Sequence, residues 1–281
     1  MRSLIPFFLS TCACILCLLI SLTSATNEPV AALNYITHNC SNKTFTPNST
    51  FQSNLNFLLV FLHSNSYLTT GFYKDTIGRN SSSDKDTVYG FFLCRSDVAV
   101  TDVCENCVAT ANVDAIQRCP NGKGIVIWYD ECMLRYSDQP FFSTAVNTPR
   151  NFLRSSTDAM QPPVGFNQVL ETTMNQLLTK AAANNTNGTV LKYFATEEDQ
   201  IKGFNNDTLY SLGQCTPDLS SADCKWCLEE AVGHIVSKEY QYQGGRFLYP
   251  SCYIRYQLSP FYGTAIDEDF LPMLRYGRTT A

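Results

Sequence analysis

Apolar residues recur along the chain at spacings that predict helices and strands in alternation. Five of them in the N-terminal half share helical spacing: Phe51, Leu55, Leu58, Leu59 and Leu62. This spacing predicts an amphipathic helix with one buried face. We expect a strand before the helix and an extended stretch after it, over 88–94, where aromatic and aliphatic residues predominate.

Two further helices are predicted, one from about Thr101 and a similar one from about Ser220. Their expected buried faces consist of Cys104, Cys107, Val108, Ala111 and Ala115, and of Cys224, Cys227, Leu228, Ala231 and Ile235. Ser220, followed three residues later by Asp223, is typical of a helix N-cap. Two strands are expected over 125–136 and 141–146, which are rich in β-branched and aromatic residues. Helices followed by paired strands indicate an α+β fold, with the helices on one face of an antiparallel sheet.

The chain contains an internal repeat with an offset of about 120 residues. Cys104, Cys107 and Cys132 recur at this offset as Cys224, Cys227 and Cys252, and Cys94 recurs as Cys215. The segment 132–145 matches 252–265 without a gap, and 55–59 falls opposite 174–178. An offset of this size is a domain length and indicates a tandem duplication. We therefore divide the chain into a first domain (26–147), a linker rich in proline (148–163), a second domain (164–270) and a tail (271–281).

The N-terminus predicts export from the cell. Arg2 precedes an apolar stretch over 4–22, and Thr23, Ser24 and Ala25 supply a small-residue cleavage site. These are the features of a secretory signal peptide over 1–25, with a retained signal anchor as the alternative. No later stretch reaches the roughly 18 apolar residues that a membrane span needs. We therefore expect a secreted protein with no membrane span in the mature chain.

Composition and sequons agree with export. The chain of 281 residues has 20 Lys and Arg against 25 Asp and Glu, a net charge of −5. No basic run is present, so a nucleic-acid partner is not expected. Glycosylation is expected at the Asn-x-Ser/Thr triplets that begin at Asn42, Asn48, Asn80, Asn184, Asn187 and Asn206. A seventh triplet, at Asn39, is the weakest because Cys40 occupies its middle position.

Ten cysteines remain after the signal peptide, and an even number in an exported chain predicts disulfides. A zinc site and a redox-active dithiol are the alternative interpretations of the two Cys-x2-Cys pairs. The second repeat lacks counterparts of Cys40 and Cys119, whose aligned positions are approximately Ala159 and Glu239. Two cysteines lost together leave no orphan thiol if they are partners, so we infer a Cys40–Cys119 bond. The remaining four cysteines of each repeat unit allow three pairings, and spacing does not choose among them.

The cysteine spacing resembles that of a known family. Cys215, Cys224 and Cys227 form the Cys-x8-Cys-x2-Cys pattern of the plant salt-stress-response/antifungal domain, although Cys94 and Cys104 are one residue further apart. The segments 88–98, 125–137 and 244–262 resemble the double-domain ectodomains of cysteine-rich receptor-like kinases and the related cysteine-rich repeat secretory proteins.

The resemblance covers about 30–265 and implies, for each domain, a ginkbilobin-like fold of five antiparallel strands packed with two helices. It also implies four disulfides: Cys94–Cys104, Cys107–Cys132, Cys215–Cys224 and Cys227–Cys252. The family's remaining bond falls on Cys40–Cys119.

The resemblance also indicates where a sugar would bind. The seed antifungal protein with this fold binds mannose through an Asn, an Arg and a Glu at fixed distances from its cysteines. The first repeat has Ser41, Val126 and Ser137 at these positions. The second repeat has Arg246 and Gln257, which are the candidate ligand contacts of this chain. Since only the arginine of these three residues is retained, the resemblance does not imply that this chain binds mannose.

A binding protein is the favoured functional class. His38, His63 and His234 lie outside any nucleophile or metalloprotease motif, so we expect no catalysis and no cofactor. The resemblance implies a role in defence or stress signalling in the apoplast, with an extracellular protein or a cell-wall or microbial glycan as the partner. The alternatives are a direct antifungal carbohydrate-binding effector and a truncated ectodomain of a cysteine-rich receptor-like kinase.

Overall fold

The computed structural model describes residues 33–67, 71–79, 84–98, 102–154, 165–183, 192–201, 207–237 and 243–262. The expected signal peptide, the expected tail and residues 155–163 of the expected linker lie outside this part of the chain. Two sheets with associated helices make up the described residues. We call them the first domain and the second domain.

The first domain has five strands and two helices. They are β1 (Tyr35–Cys40), α1 (Thr50–Ser66), β2 (Phe72–Ile77), β3 (Val88–Cys94), α2 (Asp102–Arg118), β4 (Gly124–Tyr129) and β5 (Cys132–Ser137). The strands form one antiparallel sheet in the order β1-β4-β5-β3-β2. β1 is therefore an edge strand, which pairs with β4 alone.

The second domain repeats this arrangement. Its elements are β6 (Asn151–Arg154), α3 (Phe166–Ala182), β7 (Phe194–Gln200), β8 (Thr208–Cys215), α4 (Ser221–Val236), β9 (Gly245–Leu248) and β10 (Cys252–Gln257). The strand order β6-β9-β10-β8-β7 matches that of the first sheet. The α+β class and the two five-stranded antiparallel sheets are thereby confirmed.

Helix ends and buried faces follow the sequence pattern. The Ser49 hydroxyl accepts a hydrogen bond from the Gln52 N–H at the start of α1, and the Ser220 hydroxyl accepts one from the Asp223 N–H at the start of α4. These bonds satisfy N–H groups that have no partner within the helix. The apolar residues predicted to share a face in α1 are all buried. The N-cap predicted at Ser220 is confirmed.

Alternate residues of each sheet point to opposite sides. In β5, Cys132, Leu134 and Tyr136 face the helices, as shown by the disulfide from Cys132 to α2. The other face carries Met133 and Arg135 and packs against the corresponding face of the second domain. The core of the first domain accordingly includes Leu248 from β9, with Leu153 and Tyr253 packed against it.

Two expectations about segment boundaries are corrected. The expected linker contains β6, whose Asn151–Arg154 pair with β9 and so belong to the second sheet. The expected strand over 125–136 is a hairpin of β4 and β5, and 141–146 is irregular. The reason is tertiary, because the backbone N–H of Val146 donates to the Ser251 hydroxyl of the second domain instead of to a neighbouring strand.

The sheet register also corrects the position aligned with Cys40. Cys40 pairs with Ile125 and Arg154 pairs with Gly245, and these two partners hold equivalent places in the two hairpins. Arg154, not Ala159, therefore stands where the first domain has Cys40. The constant offset of 120 residues does not align these positions because the connecting segments of the two domains differ in length. Within the described ranges, none of the helices has both the length and the apolar character needed to cross a membrane.

Candidate functional site

Five disulfides are present in the described structure, and they cross-link helices and strands within each domain. They are Cys40–Cys119, Cys94–Cys104, Cys107–Cys132, Cys215–Cys224 and Cys227–Cys252. These are the pairs that the family resemblance implies. Nine of the ten cysteines are buried, whereas Cys40, at the end of the edge strand β1, is exposed.

Arg246 and Gln257, the candidate sugar contacts, bond to other protein groups. Arg246 lies on β9 and its Nη1 donates to Oδ1 of Asp130 at 2.9 Å. Gln257 lies at the end of β10, where its Oε1 accepts hydrogen bonds from Nε and Nη2 of Arg255 at 3.2 and 2.8 Å. Its Nε2 donates to Ser259. Both side chains are thus part of an internal network.

That network centres on Asp130, in the turn between β4 and β5. Its carboxylate accepts from Nη1 of Arg255 at 2.7 and 2.9 Å and from Arg246. Arg95 of the first domain approaches the same carboxylate at 3.7 Å and forms a bidentate pair with Asp97. The four side chains of the Asp130 cluster (Arg95, Asp130, Arg246 and Arg255) are only 10–22% exposed. Charge-assisted bonds of this kind join the two domains at this point.

A second group of contacts joins the domains further along the sheets. Asp218 of the second domain accepts from the backbone N–H of Ser143 at 2.8 Å and pairs with Lys74 at 3.4 Å. Burial lowers the pKa of the Arg135 guanidinium to about 10, and the charge of Asp218 opposes that effect. Arg135 also lies 3.9 Å from the centroid of the Phe141 ring, which gives it a cation–π contact.

The cavity between the two sheets is too small for a sugar. It has a volume of about 40 Å³ and is lined by equivalent residues of the two domains, among them Leu93 and Gln214, Trp128 and Leu248, and Met133 and Tyr253. Pockets for small-molecule ligands span roughly 300–1,000 Å³. The Tyr253 hydroxyl is buried near this cavity, and burial raises its pKa. The equivalent lining residues indicate that the domains meet through the same face, as subunits of a two-fold dimer do.

The first domain does not offer the sugar contacts either. Val126 is 4% exposed and packs within the core, and Ser137 ends β5. The Ser41 hydroxyl accepts a hydrogen bond from the Lys43 N–H. An aliphatic side chain and two hydroxyls replace the charged and amide groups that the resemblance associates with mannose.

The histidines occupy three separate elements, each with its own partner. Nδ1 of His38, on β1, lies 2.5 Å from the Tyr35 hydroxyl. His63, on α1, lies 3.9 Å from Glu105, and His234, on α4, lies 2.9 Å from Arg150. These contacts give no geometry for a nucleophile and base acting together.

The described sequons differ in exposure. Asn42 and Asn48 are exposed, which suits an attached glycan. The side-chain nitrogen of Asn39 is buried without a hydrogen-bond partner, so the folded protein does not offer it to solvent. Asn80, Asn184, Asn187 and Asn206 lie outside the described residues. Glycosylation at Asn42 and Asn48 remains a prediction.

Exposed apolar side chains stand on both helices of the first domain, and nothing in the sequence patterning singled them out. They are Phe57 (60% exposed), Val60 (60%) and Phe61 (43%) on α1, and Val113 (56%) and Ile116 (38%) on α2. The two helices pack side by side, with Nδ2 of Asn112 donating to the Leu59 carbonyl at 2.9 Å. We call these five residues the apolar helix face.

In the second domain, the positions that correspond to the exposed apolar residues of α1 are polar. Matching 55–59 with 174–178 puts Gln176, Thr179 and Lys180 where α1 has its three apolar residues, and all three are exposed. The 120-residue offset puts Gly233 and Val236 opposite Val113 and Ile116 of α2, and Val236 is as exposed as Ile116. The contrast between the domains therefore concerns α1 and α3. A comparison of the two domains could therefore have identified this surface from sequence, once the buried face of each helix was known.

Comparison with known protein families identifies both domains. The salt stress response/antifungal family matches residues 39–139 and 154–259. Putative cysteine-rich receptor-like protein kinase 9 of Arabidopsis thaliana is 37% identical over 234 residues, covering 81% of this chain and 82% of the relative. The antimicrobial ginkbilobin-2-like protein of Castanea crenata is 36% identical over 225 residues, covering 80% and 87%. Cysteine-rich receptor-like protein kinase 25 of Arabidopsis thaliana is 36% identical over 247 residues, and the chain spans only about a third of its length (34%).

Solved structures have the same architecture. The tandem DUF26 ectodomain of the Arabidopsis thaliana cysteine-rich receptor-like protein PDLP8 superposes with a TM-score of 0.64 at 24% identity, covering 82% of this chain and 100% of the ectodomain. The corresponding ectodomain of PDLP5 gives 0.63 at 25% identity, covering 80% and 100%. Together with the matched residues, the repeat and the disulfides, these findings show that the chain belongs to the salt stress response/antifungal family, of which it has two tandem domains.

Proposed function

We propose that the chain is a secreted, non-catalytic recognition protein of the plant apoplast that takes part in defence or stress responses. In this proposal its two domains act as one rigid scaffold, and the apolar helix face binds an extracellular protein. The observation that carries the proposal is the contrast between the exposed apolar residues of α1 and the exposed polar residues at the same positions of α3.

The scaffold part of the proposal rests on the contacts between the domains. The Asp130 cluster and the contacts of Asp218 lie at two separate places of one interface. Apolar residues of the second domain, such as Leu248, pack into the core of the first domain. Two separated polar contacts around an apolar centre restrict both rotation and sliding of one sheet over the other. A binding surface on one domain would therefore keep a fixed orientation relative to the other domain.

The composition of the apolar helix face supports a protein as the partner. Aromatic and aliphatic residues without charges are typical of the centre of a protein interface. Side chains of these sizes and exposures present roughly 400 Å² of apolar surface. That is about half of the area of roughly 800 Å² per partner in a standard interface, and polar residues around the rim would supply the rest. At the positions of Phe57, Val60 and Phe61 the second domain folds with polar residues, so the fold itself does not need apolar ones there.

A glycan is less well supported as the partner. Sugar hydroxyls require fixed polar groups, and the candidate contacts Arg246 and Gln257 bond to Asp130, Arg255 and Ser259. The cavity between the sheets, which Asp130 lines, is too small for a monosaccharide. Because the relative from Castanea crenata is an antimicrobial protein, a direct antifungal effect is the alternative to test.

The experiment replaces the apolar residues of α1 with those of the second domain, as the triple variant Phe57→Gln, Val60→Thr and Phe61→Lys. The control is Trp226→Gln, which removes an exposed aromatic residue (41% exposed) from α4. Tagged full-length protein would be incubated with plant extracellular fluid and cross-linked. Proteins identified by mass spectrometry would then be purified, and their binding measured directly.

We expect a purified partner to bind the wild type and Trp226→Gln with similar affinity, and the triple variant at least tenfold more weakly. Equal binding by the triple variant would overturn the proposed surface. If the purified wild type forms concentration-dependent dimers and the triple variant does not, the partner would instead be a second copy of this chain. Binding of mannose-type glycans that depends on Arg246 would favour the antifungal carbohydrate-binding alternative.

A further inference from the structure

The Cys40–Cys119 bond differs from the other four disulfides in exposure. Cys40 is the one exposed cysteine among the ten described, and its partner Cys119 is 3% exposed. Both cysteines of every other bond are at most 4% exposed. Thiol–disulfide exchange requires an attacking thiolate to reach a sulfur in line with the bond, so access decides which disulfide reacts.

The bond also lies beside a group that can assist exchange. A ring nitrogen of His38 and the sulfurs of Cys40 and Cys119 lie within 4.8 Å of one another. Burial and the charge of Arg118 lower the pKa of His38, so its ring is neutral near pH 7. A neutral histidine at this distance can accept the proton of an approaching thiol and so generate the thiolate that attacks.

We propose that Cys40–Cys119 is an exchangeable disulfide, which reacts with small anionic thiols of the glutathione class while the other four bonds remain closed. In the first step the thiolate attacks Cys40 Sγ and a mixed disulfide forms there. The original S–S bond breaks, its electron pair stays on Cys119 Sγ, and that sulfur takes a proton from water. A second thiol then attacks the mixed disulfide, so that two thiols are oxidised to one disulfide and the protein bond is reduced.

The second domain indicates that the fold survives this reaction. Arg154 stands at the register position of Cys40, and the second domain keeps the same strand order with two disulfides. In the first domain, Cys94–Cys104 and Cys107–Cys132 would still join the helix α2 to the sheet. Opening the bond would release the edge strand β1 from the end of α2, and leave the rest of the sheet cross-linked. The reaction is independent of any binding partner.

The test uses the folded, oxidised full-length protein, with glutathione as the thiol. Samples taken at increasing glutathione concentration would be alkylated without denaturant and mapped by mass spectrometry. We expect Cys40 and Cys119 to be modified at least tenfold faster than any other cysteine, with the glutathionyl adduct on Cys40. Modification of another pair first, loss of all bonds in one step, or an adduct mainly on Cys119 would each overturn the proposal.

Two variants separate the chemistry from folding. Cys40→Ser with Cys119→Ser should keep the far-ultraviolet circular dichroism of the wild type and lose the fast phase of glutathione consumption. His38→Gln should keep the oxidised fold and slow the exchange several-fold. An unchanged rate in His38→Gln would remove the role assigned to this histidine. If the double variant does not fold, the order of modification in the wild type still decides the main claim.

Discussion

Asp130, in the β4–β5 turn of the first domain, accepts two hydrogen bonds from Nη1 of Arg255 on β10 of the second domain, at 2.7 and 2.9 Å. The same carboxylate accepts from Arg246, the position that the family resemblance associates with a sugar. A side chain that could contact a ligand in a single domain thus contacts the neighbouring domain in the tandem protein. This relationship makes Asp130 the first residue to test.

Asp130→Asn should lower the free energy of unfolding by about 3 kcal/mol. The substitution leaves the guanidinium groups of Arg95, Arg246 and Arg255 around a neutral amide, and breaking a buried ion pair costs about 3–5 kcal/mol. The lower end of this range applies because these side chains are still 10–22% exposed. Chemical denaturation followed by fluorescence measures the loss.

The control for Asp130→Asn is Asp138→Asn. Asp138 pairs at 3.2 Å with Lys43, whose side chain is 59% exposed, and pairs with an exposed partner contribute about 0–1 kcal/mol. Limited proteolysis should cut between the domains faster in Asp130→Asn than in this control. Equal losses of stability in the two variants would show that the Asp130 cluster does not join the domains energetically.

Gly90→Ala and Gly233→Ala should change stability in opposite directions. A Cβ atom at Gly90, on β3, would lie 2.6 Å from Cδ2 of Leu58 on α1. Overpacking of this kind costs about 1–3 kcal/mol. A Cβ atom at Gly233, inside α4, meets nothing within 4 Å, and replacing a helix glycine stabilises by about 0.5–1 kcal/mol. Thermal denaturation of the two variants checks the difference in sign, and a stable Gly90→Ala protein would contradict the close helix–sheet packing.

Ser220→Ala should cost about 1 kcal/mol. The Ser220 hydroxyl caps α4 by accepting from the Asp223 N–H at 3.1 Å, and it also bonds to the Asp223 carboxylate at 2.6 Å. Substitution of an N-cap serine by alanine costs typically about 1 kcal/mol, but substitution by glycine only a few tenths. Ser220→Gly is therefore the matched control in urea denaturation. Equal destabilisation by alanine and glycine would be inconsistent with the capping role.

Asp114 should make stability depend on pH in the acid range. Burial acts to raise its pKa, but hydrogen bonds from Tyr129 at 2.7 Å and Arg118 at 2.8 Å outweigh burial and hold the pKa below its usual value. A carboxyl whose pKa is depressed by folding stabilises the native state above its unfolded pKa of about 3.9. This contribution to stability is lost as the pH falls through the lower pKa that Asp114 has in the folded state.

The measurement compares wild type with Asp114→Asn by urea denaturation at pH 6 and pH 3. We expect the wild type to be more stable at pH 6 and its advantage to shrink at pH 3. Glu229→Gln, which removes an exposed pair with Lys225, should change little at either pH. An advantage that stays constant between the two pH values would contradict the depressed pKa.

Much of the fold could be predicted because its signals are local or repeated. The spacing of Leu55, Leu58 and Leu62 predicted α1, since helical periodicity directly reports which face is buried. The strand expected over 141–146 is absent. Phe141 and its neighbours pack at the domain interface, and a segment buried there has the same aromatic composition as a strand. β6 was assigned to the linker because its four residues are too few for a periodic signal.

The sequence by itself determined the tandem repeat, the α+β class and the partnership of Cys40 with Cys119, because each depends on spacing within one domain or on a comparison of two copies. Only the tertiary structure decided that Arg246 pairs with Asp130, that Cys40 is the exposed cysteine, and that five apolar side chains on α1 and α2 are exposed. These features depend on how separate elements meet in space. Local periodicity shows that a residue is buried or exposed, but it does not identify the residue across the interface.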